Sequence, residues 1–298
     1  MIDVIVDGVL RGGVYALAAI GYVLVYRASK VINLAYGAMA LAAAYLYWYF
    51  SSFMPMPLAM ALVLLATVLV AIFVERGIMR PMIGEPVVQI IMATIGVSYI
   101  IKGALLLFLQ LGAGLPGWLY VPFVQSPLPQ GTYSIGPLNI NANFLWASIA
   151  SFTGFITFYL FYSKTPLGIA MRAMSNDRQS ALTLAIRPTE TFLLSWLLAG
   201  IIAFLSGLFY ASITGGVSGN VELIAIKALP VIILGGLDSI TGSVVGGIIV
   251  GLLESIGKYY LDSVFGGGFG EVFPLLVMIF IMLIKPYGLF GTERIERI

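Results

Sequence analysis

The sequence predicts an all-α polytopic membrane protein with eight to ten transmembrane helices, some of them broken or re-entrant. Three observations carry that prediction. Of 298 residues, 60% are hydrophobic and only 9% are charged, whereas soluble domains run to about 25% charged residues. The mean hydropathy is +1.04, too high for a polar surface to enclose a core. The apolar runs continue over about 20 residues, the length of a helical span, where a β-barrel would alternate over segments of about ten.

Nine candidate spans follow in order, at about 5–26, 31–51, 57–76, 87–110, 143–163, 190–213, 222–237, 240–257 and 272–285. The first carries Asp3 and Asp7 where a cleavable signal would carry Lys or Arg, so it is expected to stay in the mature chain. Arg27 and Lys30 separate spans one and two, and Arg76 and Arg80 follow span three. No Lys, Arg, Asp or Glu occurs from Gly103 to Ser163, an interval holding a Pro- and Gly-rich loop with Trp118, Tyr120 and Tyr133. Span five leads into the polar insert 164–188, and Lys285, Arg294 and Arg297 form the tail. Basic residues mark cytoplasmic ends, so the N-terminus reads as outside and the C-terminus as inside. Segments 222–237 and 240–257 are short, so one or both are expected to be broken or re-entrant. The whole chain, 1–298, reads as a single transmembrane domain with no visible internal repeat.

Composition excludes several chemistries. With neither cysteine nor histidine, the chain lacks thiol nucleophiles, disulfides and the usual metal ligand and proton shuttle. No cofactor, metal site or catalytic cluster is expected, and an enzyme is disfavoured. No run of carboxylates threads the spans, which argues against a proton- or sodium-coupled pump. The one Gly-Lys pair, Gly257–Lys258, precedes Tyr259 and lacks the upstream glycine of a phosphate-binding loop. Any ATP-driven step must use another chain.

The insert, KTPLGIAMRAMSNDRQSALTLAIRP, gathers Lys164, Arg172, Asp177, Arg178 and Arg187 in a sequence otherwise poor in charge. Met171, Met174, Ala181, Leu182 and Ala185 fall along one face at helical spacing, with Arg172, Ser175, Asn176, Gln179 and Thr183 on another. Asn176 and Gln179 resemble a capping box, with Asp177 in the first turn. The expectation is two short helices meeting near Ser175–Asn176 and closed by Pro188. Their apolar face would enter a partner's groove while Arg172 and Arg178 pair with acids at the rim. The alternative is a topology-setting loop lying on the headgroups.

Polar residues inside the spans are candidates for a translocation pathway: Asn33, Tyr36, Thr94, Ser98 and Lys227. Asn33 has a competing reading as a cap or interhelical hydrogen bond, and Lys227 as an interfacial anchor. Lys102 is expected to snorkel to the outer interface. Glu254 and Lys258, four apart, are expected to form a local helix pair, and Asp238 to serve a cytoplasmic turn. Gly242, Gly246, Gly247 and Gly251 predict a tight helix-packing face.

In order and spacing, VINLAYGAMA with its Asn-x-Ala-x-Gly element, ATIGVSYII, TPLGIAMRAMSNDRQSALTLAIRP, IKALPVIILGGLDSITGSVVGGIIVGLLES and KPYGLFG resemble the branched-chain amino-acid ABC transporter permeases. The resemblance runs from about residue 8 to the end and is to the shorter permease subunit of these systems. It implies a pore subunit without enzymatic chemistry in a bacterial or archaeal plasma membrane. Its implied partners are a homologous second permease, two ATP-binding subunits and an extracytoplasmic solute-binding protein, in contact with lipid and not with nucleic acid. The insert would be the coupling segment, through Met171, Arg172, Met174, Asp177, Arg178, Ala181, Leu182 and Ala185. The implied cargo is a branched-chain or other hydrophobic amino acid; urea, short amides or a sugar on the same architecture, or a stand-alone secondary transporter, are the alternatives. The chain departs from the family pattern at Ala185–Ile186, where Gly commonly precedes Ile, and at Ala38–Met39, where a polar or acidic residue often stands.

Overall fold

The computed structural model describes residues 1–123, 125–135 and 138–291. Arg294 and Arg297, expected in the inner tail, lie outside them. Helices α1 (Ile2–Ser29), α2 (Tyr36–Ser51), α3 (Met56–Val74), α4 (Val87–Leu111) and α5 (Ala142–Lys164) lead to the insert helices α6 (Pro166–Asn176) and α7 (Arg178–Thr183). Helices α8 (Pro188–Ile213), α9 (Leu223–Gly235), α10 (Ile240–Ile256), α11 (Asp262–Phe265) and α12 (Phe269–Ile284) complete the chain. All nine expected spans correspond to helices, but their lengths differ. Six are long and apolar enough to cross a membrane: α1, α3 with its π-helical extension to Met79, α4, α5, α8, and α10 extended through a π-turn to Phe265.

Two expectations about span length need correction. The 240–257 segment is not short, because it runs on without a break into α11. The second helix starts at Tyr36 and not at 31, because Asn33 Oδ1 accepts the Ala35 amide at 3.0 Å. Such a side-chain turn competes with helix hydrogen bonding. The residues before α2 therefore enter the bundle without forming a helix. With 16 residues in α2 and 13 in α9, these helices reach about 24 and 20 Å at 1.5 Å per residue, short of a hydrocarbon core of about 30 Å.

Helix α1 forms the axis of the molecule, and all its residues from Gly12 to Val25 are buried. Its Gly8 and Gly12 face Gly251 and Gly247 of α10 so closely that a Cβ on Gly12 would stand 2.5 Å from the Gly247 carbonyl. The expected single glycine face of α10 is in fact two. Gly247 and Gly251 receive α1, while Gly242 and Gly246 pack on Gly235 and Val231 of α9.

The two ends of the bundle differ as the charge pattern predicts. At one end Arg27 Nε donates to the Asp238 carbonyl at 2.5 Å, its guanidinium lies 5.0 Å from the Tyr162 ring, and Lys30 reaches Ser175. At the other, two-residue strands β1 (Val121–Pro122) and β4 (Gly216–Val217) pair antiparallel, beside a hairpin of β2 (Thr132–Ile135) and β3 (Leu138–Asn141). The hydroxyls of Tyr45 and Tyr47, on the last turns of α2, donate to the carbonyls of Leu119 and Gln125 in the same outer loop.

Candidate functional site

The insert folds through defined local chemistry. Thr165 Oγ1 accepts the Gly168 amide at 3.1 Å and Pro166 opens α6, a helix start that needs no amide donor at its first position. Asp177 separates the two helices: its Oδ1 accepts the amides of Gln179 and Ser180 at 2.9 and 3.2 Å, and its Oδ2 the Ser180 hydroxyl at 2.5 Å. The N-cap is thus Asp177 and not Asn176, one residue beyond the expected break. A carboxylate outcompetes an amide here because its charge also meets the helix dipole. Those bonds, the Ser180 hydroxyl first, hold the Asp177 carboxyl below its ordinary range.

α7 ends in a Schellman arrangement, with the Ile186 amide on the Ala181 carbonyl at 3.1 Å and the Ala185 amide on that of Leu182 at 3.0 Å. Ala185 takes φ +57° to close it, a left-handed conformation that glycine adopts without steric cost.

The apolar face predicted for docking divides. Met171 and Ala181 are buried in the chain's own body, and Met174 lines a small cavity of about 100 Å³ with Ala28, Met79, Met82, Pro188 and Phe192. Arg172 reaches back to the body: its guanidinium donates to the Ser163 carbonyl at 2.9 Å and lies 5.9 Å from the Tyr162 ring. Leu182 and Ala185 are exposed, as are Leu184, Leu167 and Ile169. Leu184, at 72% the most exposed of these leucines, has no partner in the 3.6-residue pattern because it lies past the last turn of α7. The side chain of Arg178 lies outside the described residues.

Four of the five pathway candidates gather where α2 begins. Asn33 and Tyr36 are fully buried, and the Tyr36 hydroxyl lies 2.8 Å from Ser206 Oγ of α8. Thr94 Oγ1 accepts the Leu34 amide at 3.4 Å, and Ser98 stands one turn further along α4. Two donors here, Asn33 Nδ2 and Trp196 Nε1, are buried without a hydrogen-bond partner among the described residues. A non-helical stretch with such donors between α1, α4 and α8 can meet a polar solute that a continuous helix could not.

Lys227 is elsewhere. It bonds Glu254 at 3.0 Å and Glu271 at 3.6 Å, and shares no contact with the group at the α2 break. Glu254 also takes Lys258 at 2.6 Å, the predicted helix pair, and the Tyr15 hydroxyl at 2.9 Å. Lys102 bonds Glu222 at 3.0 Å, just before α9. Sequence reasoning missed Glu222, Glu271 and Tyr15 as partners, since each lies far along the chain; the signal available was an intramembrane lysine needing an acid.

A sequence profile of the family described as "Branched-chain amino acid transport system / permease component" matches residues 4–282. The chain belongs to this family. As a permease component it is a multi-pass plasma-membrane protein and not an enzyme. It is 29% identical to the probable branched-chain amino acid transport permease protein LivH of Methanocaldococcus jannaschii, over 96% of this chain and 91% of that protein. It is 28% identical to the high-affinity branched-chain amino acid transport system permease protein BraD of Pseudomonas aeruginosa, over 99% and 97%. Among solved structures, a chain of PsaBC from Streptococcus pneumoniae, in complex with Fab, shares the fold. It aligns at TM-score 0.50 and 10% identity over 93% of this permease and 89% of that chain.

Proposed function

We propose that this permease is the pore subunit of an ABC importer for branched-chain or other hydrophobic amino acids. It works with a second, homologous permease, two ATP-binding subunits and an extracytoplasmic solute-binding protein. The observation that carries the reading is the build of the insert. Met171 and Met174 root it in the body between α1 and α8, while Leu182 and Leu184 stand out at the basic end of the bundle. An element anchored on one side and apolar on the other transmits a push from a docked ATPase into α1 and α8. The solute class follows the curated relatives, and the α2 break, with Asn33, Tyr36, Thr94 and Ser98, is the pathway this reading assigns.

The test is Leu182→Asp with Leu184→Asp. Each buried leucine contributes about 1.5–3 kcal/mol, so the pair should weaken ATPase association by roughly 100-fold or more and abolish binding-protein-stimulated hydrolysis. The membrane domain should stay folded, since both side chains are exposed. Undiminished association and uptake would end the docking reading. Uptake in proteoliposomes should require ATP and the binding protein; uptake by this chain alone, driven by an ion gradient, would overturn the importer reading.

A further inference from the structure

Between α9, α10 and α12 lies a cavity of about 220 Å³, whose lining shares no residue with the insert or with the polar group at the α2 break. One side of it is charged, formed by Lys227, Glu254 and Glu271. With Lys258, the group holds two ammoniums and two carboxylates, so its formal charges cancel. The rest of the wall is apolar, from Leu223, Ile226, Val250, Val272 and Leu275. Pro230 also lines it, and its missing N–H leaves the Ile226 carbonyl without a helical donor.

The two acids are not equivalent. Glu254 is 2% exposed and held by Lys227, Lys258 and Tyr15. Glu271 is 55% exposed and meets Lys227 only at 3.6 Å. The looser contact is the one a ligand can enter. A volume below the roughly 300–1,000 Å³ of drug-sized pockets suits a solute of amino-acid size.

We propose that this cavity is a low-affinity site for a zwitterionic, branched-chain amino acid within the permease, an inference that rests on the importer reading above. The solute's carboxylate takes Lys227, its ammonium takes Glu271 and the Ile226 carbonyl, and its side chain lies among the apolar residues of the wall. A zwitterion leaves the neutral charge group neutral. A cationic amide or an anionic acid of the same shape adds an unbalanced charge in low-dielectric surroundings, which is costly.

The chain has no cysteine, so Val272→Cys at the rim of the cavity supplies a single labelling site. In the full-length chain in phosphatidylcholine nanodiscs, L-leucine should slow maleimide labelling by the factor 1 + [L]/Kd, about tenfold when leucine is at ~10 times its Kd. Leucinamide and isocaproate should not protect. Glu271→Gln, at an exposed position that folding tolerates, and Lys227→Gln should each remove the protection by leucine without slowing labelling itself. Equal protection in both variants, or none in the parent while the assembled transporter still takes up leucine with ATP, overturns the site and leaves the importer reading intact. Absence of ATP-driven uptake in the assembled transporter overturns the importer reading, and the site with it. Labelling already slow in phosphatidylethanolamine nanodiscs and unaffected by leucine would assign the cavity to a lipid headgroup and overturn the proposal.

Discussion

Replacing Gly251 by alanine tests whether close approach of α1 and α10 holds the bundle together. The new Cβ would stand 2.6 Å from the Gly12 amide nitrogen and 2.7 Å from Gly12 Cα, and nearer still to the Gly8 carbonyl. All three obstacles are backbone, so no side chain can rotate away. Restoring ordinary contact at 3.4 Å from that nitrogen requires the helices to part by at least about 0.8 Å, and clearing the nearer Gly8 carbonyl requires more. A gap of that size forfeits a quarter to a half of each dispersion contact along the crossing, itself ~0.1–0.2 kcal/mol per atom pair. Over some tens of pairs the loss is about 1–3 kcal/mol, the usual range for overpacking. Gly96→Ala is the control, because Gly96 lies within α4 and its Cβ would meet nothing within 4 Å. There alanine should be neutral or stabilise by up to about 1 kcal/mol through helix propensity. Thermal unfolding in a mild detergent reads both. Equal transition temperatures for the two variants would refute the packing argument.

Three further outcomes are expected. Ala185→Gly should stabilise the end of the insert by about 1 kcal/mol, since a left-handed alanine costs roughly 1–2 kcal/mol; slower amide exchange at Leu184–Ile186 is the readout, and faster exchange would contradict it. Glu254→Gln should destabilise the bundle by about 3–5 kcal/mol, because Lys227 and Lys258 lose their shared buried partner. Adding Lys227→Met should recover part of that loss, and unfolding midpoints of the four proteins in the cycle measure the coupling. The pH dependence of the Asp177 cap follows from its lowered carboxyl. Its contribution is complete above the ordinary carboxylate value of about 3.9 and is lost as pH falls through the lower folded value. Exchange at Gln179 and Ser180 should therefore stay slow, relative to an Asp177→Ala chain, until the pH falls below about 4.

Helix content and the two polarised ends were legible because they depend on local quantities, apolar run length and the placement of Lys and Arg. The family was legible in the ordered motifs from VINLAYGAMA to KPYGLFG. What escaped depends on distance along the chain or on competition between local alternatives. Lys102 and Glu222 are 120 residues apart, and nothing near Lys102 announces an acid. The four glycines of α10 share a spacing, but which neighbour each one faces is set by how α1 and α9 cross it. Asn33 could cap, bond across helices or line a path, and only the folded backbone shows its side chain turning onto the Ala35 amide and delaying the next helix. In the insert, periodicity identified an apolar stripe without saying that the chain's own α1 and α8 would claim Met171. The outward Leu184 follows a helix end, where periodicity carries no information.

The central position of α1 also has a consequence for how the protein is made. Its partners include Gly251 and, through Tyr15, Glu254, which lies 239 residues later. At a synthesis rate of about 5–20 residues per second, the ribosome needs roughly 10–50 s to deliver them. During that interval α1 sits among lipids with its glycine faces unmatched. Arg11 is neutralised from the outset, because Asp7 one turn away holds its guanidinium at 2.7 Å. Helix α1 therefore leaves the ribosome with Arg11 already paired, while its glycine packing surface waits for α10.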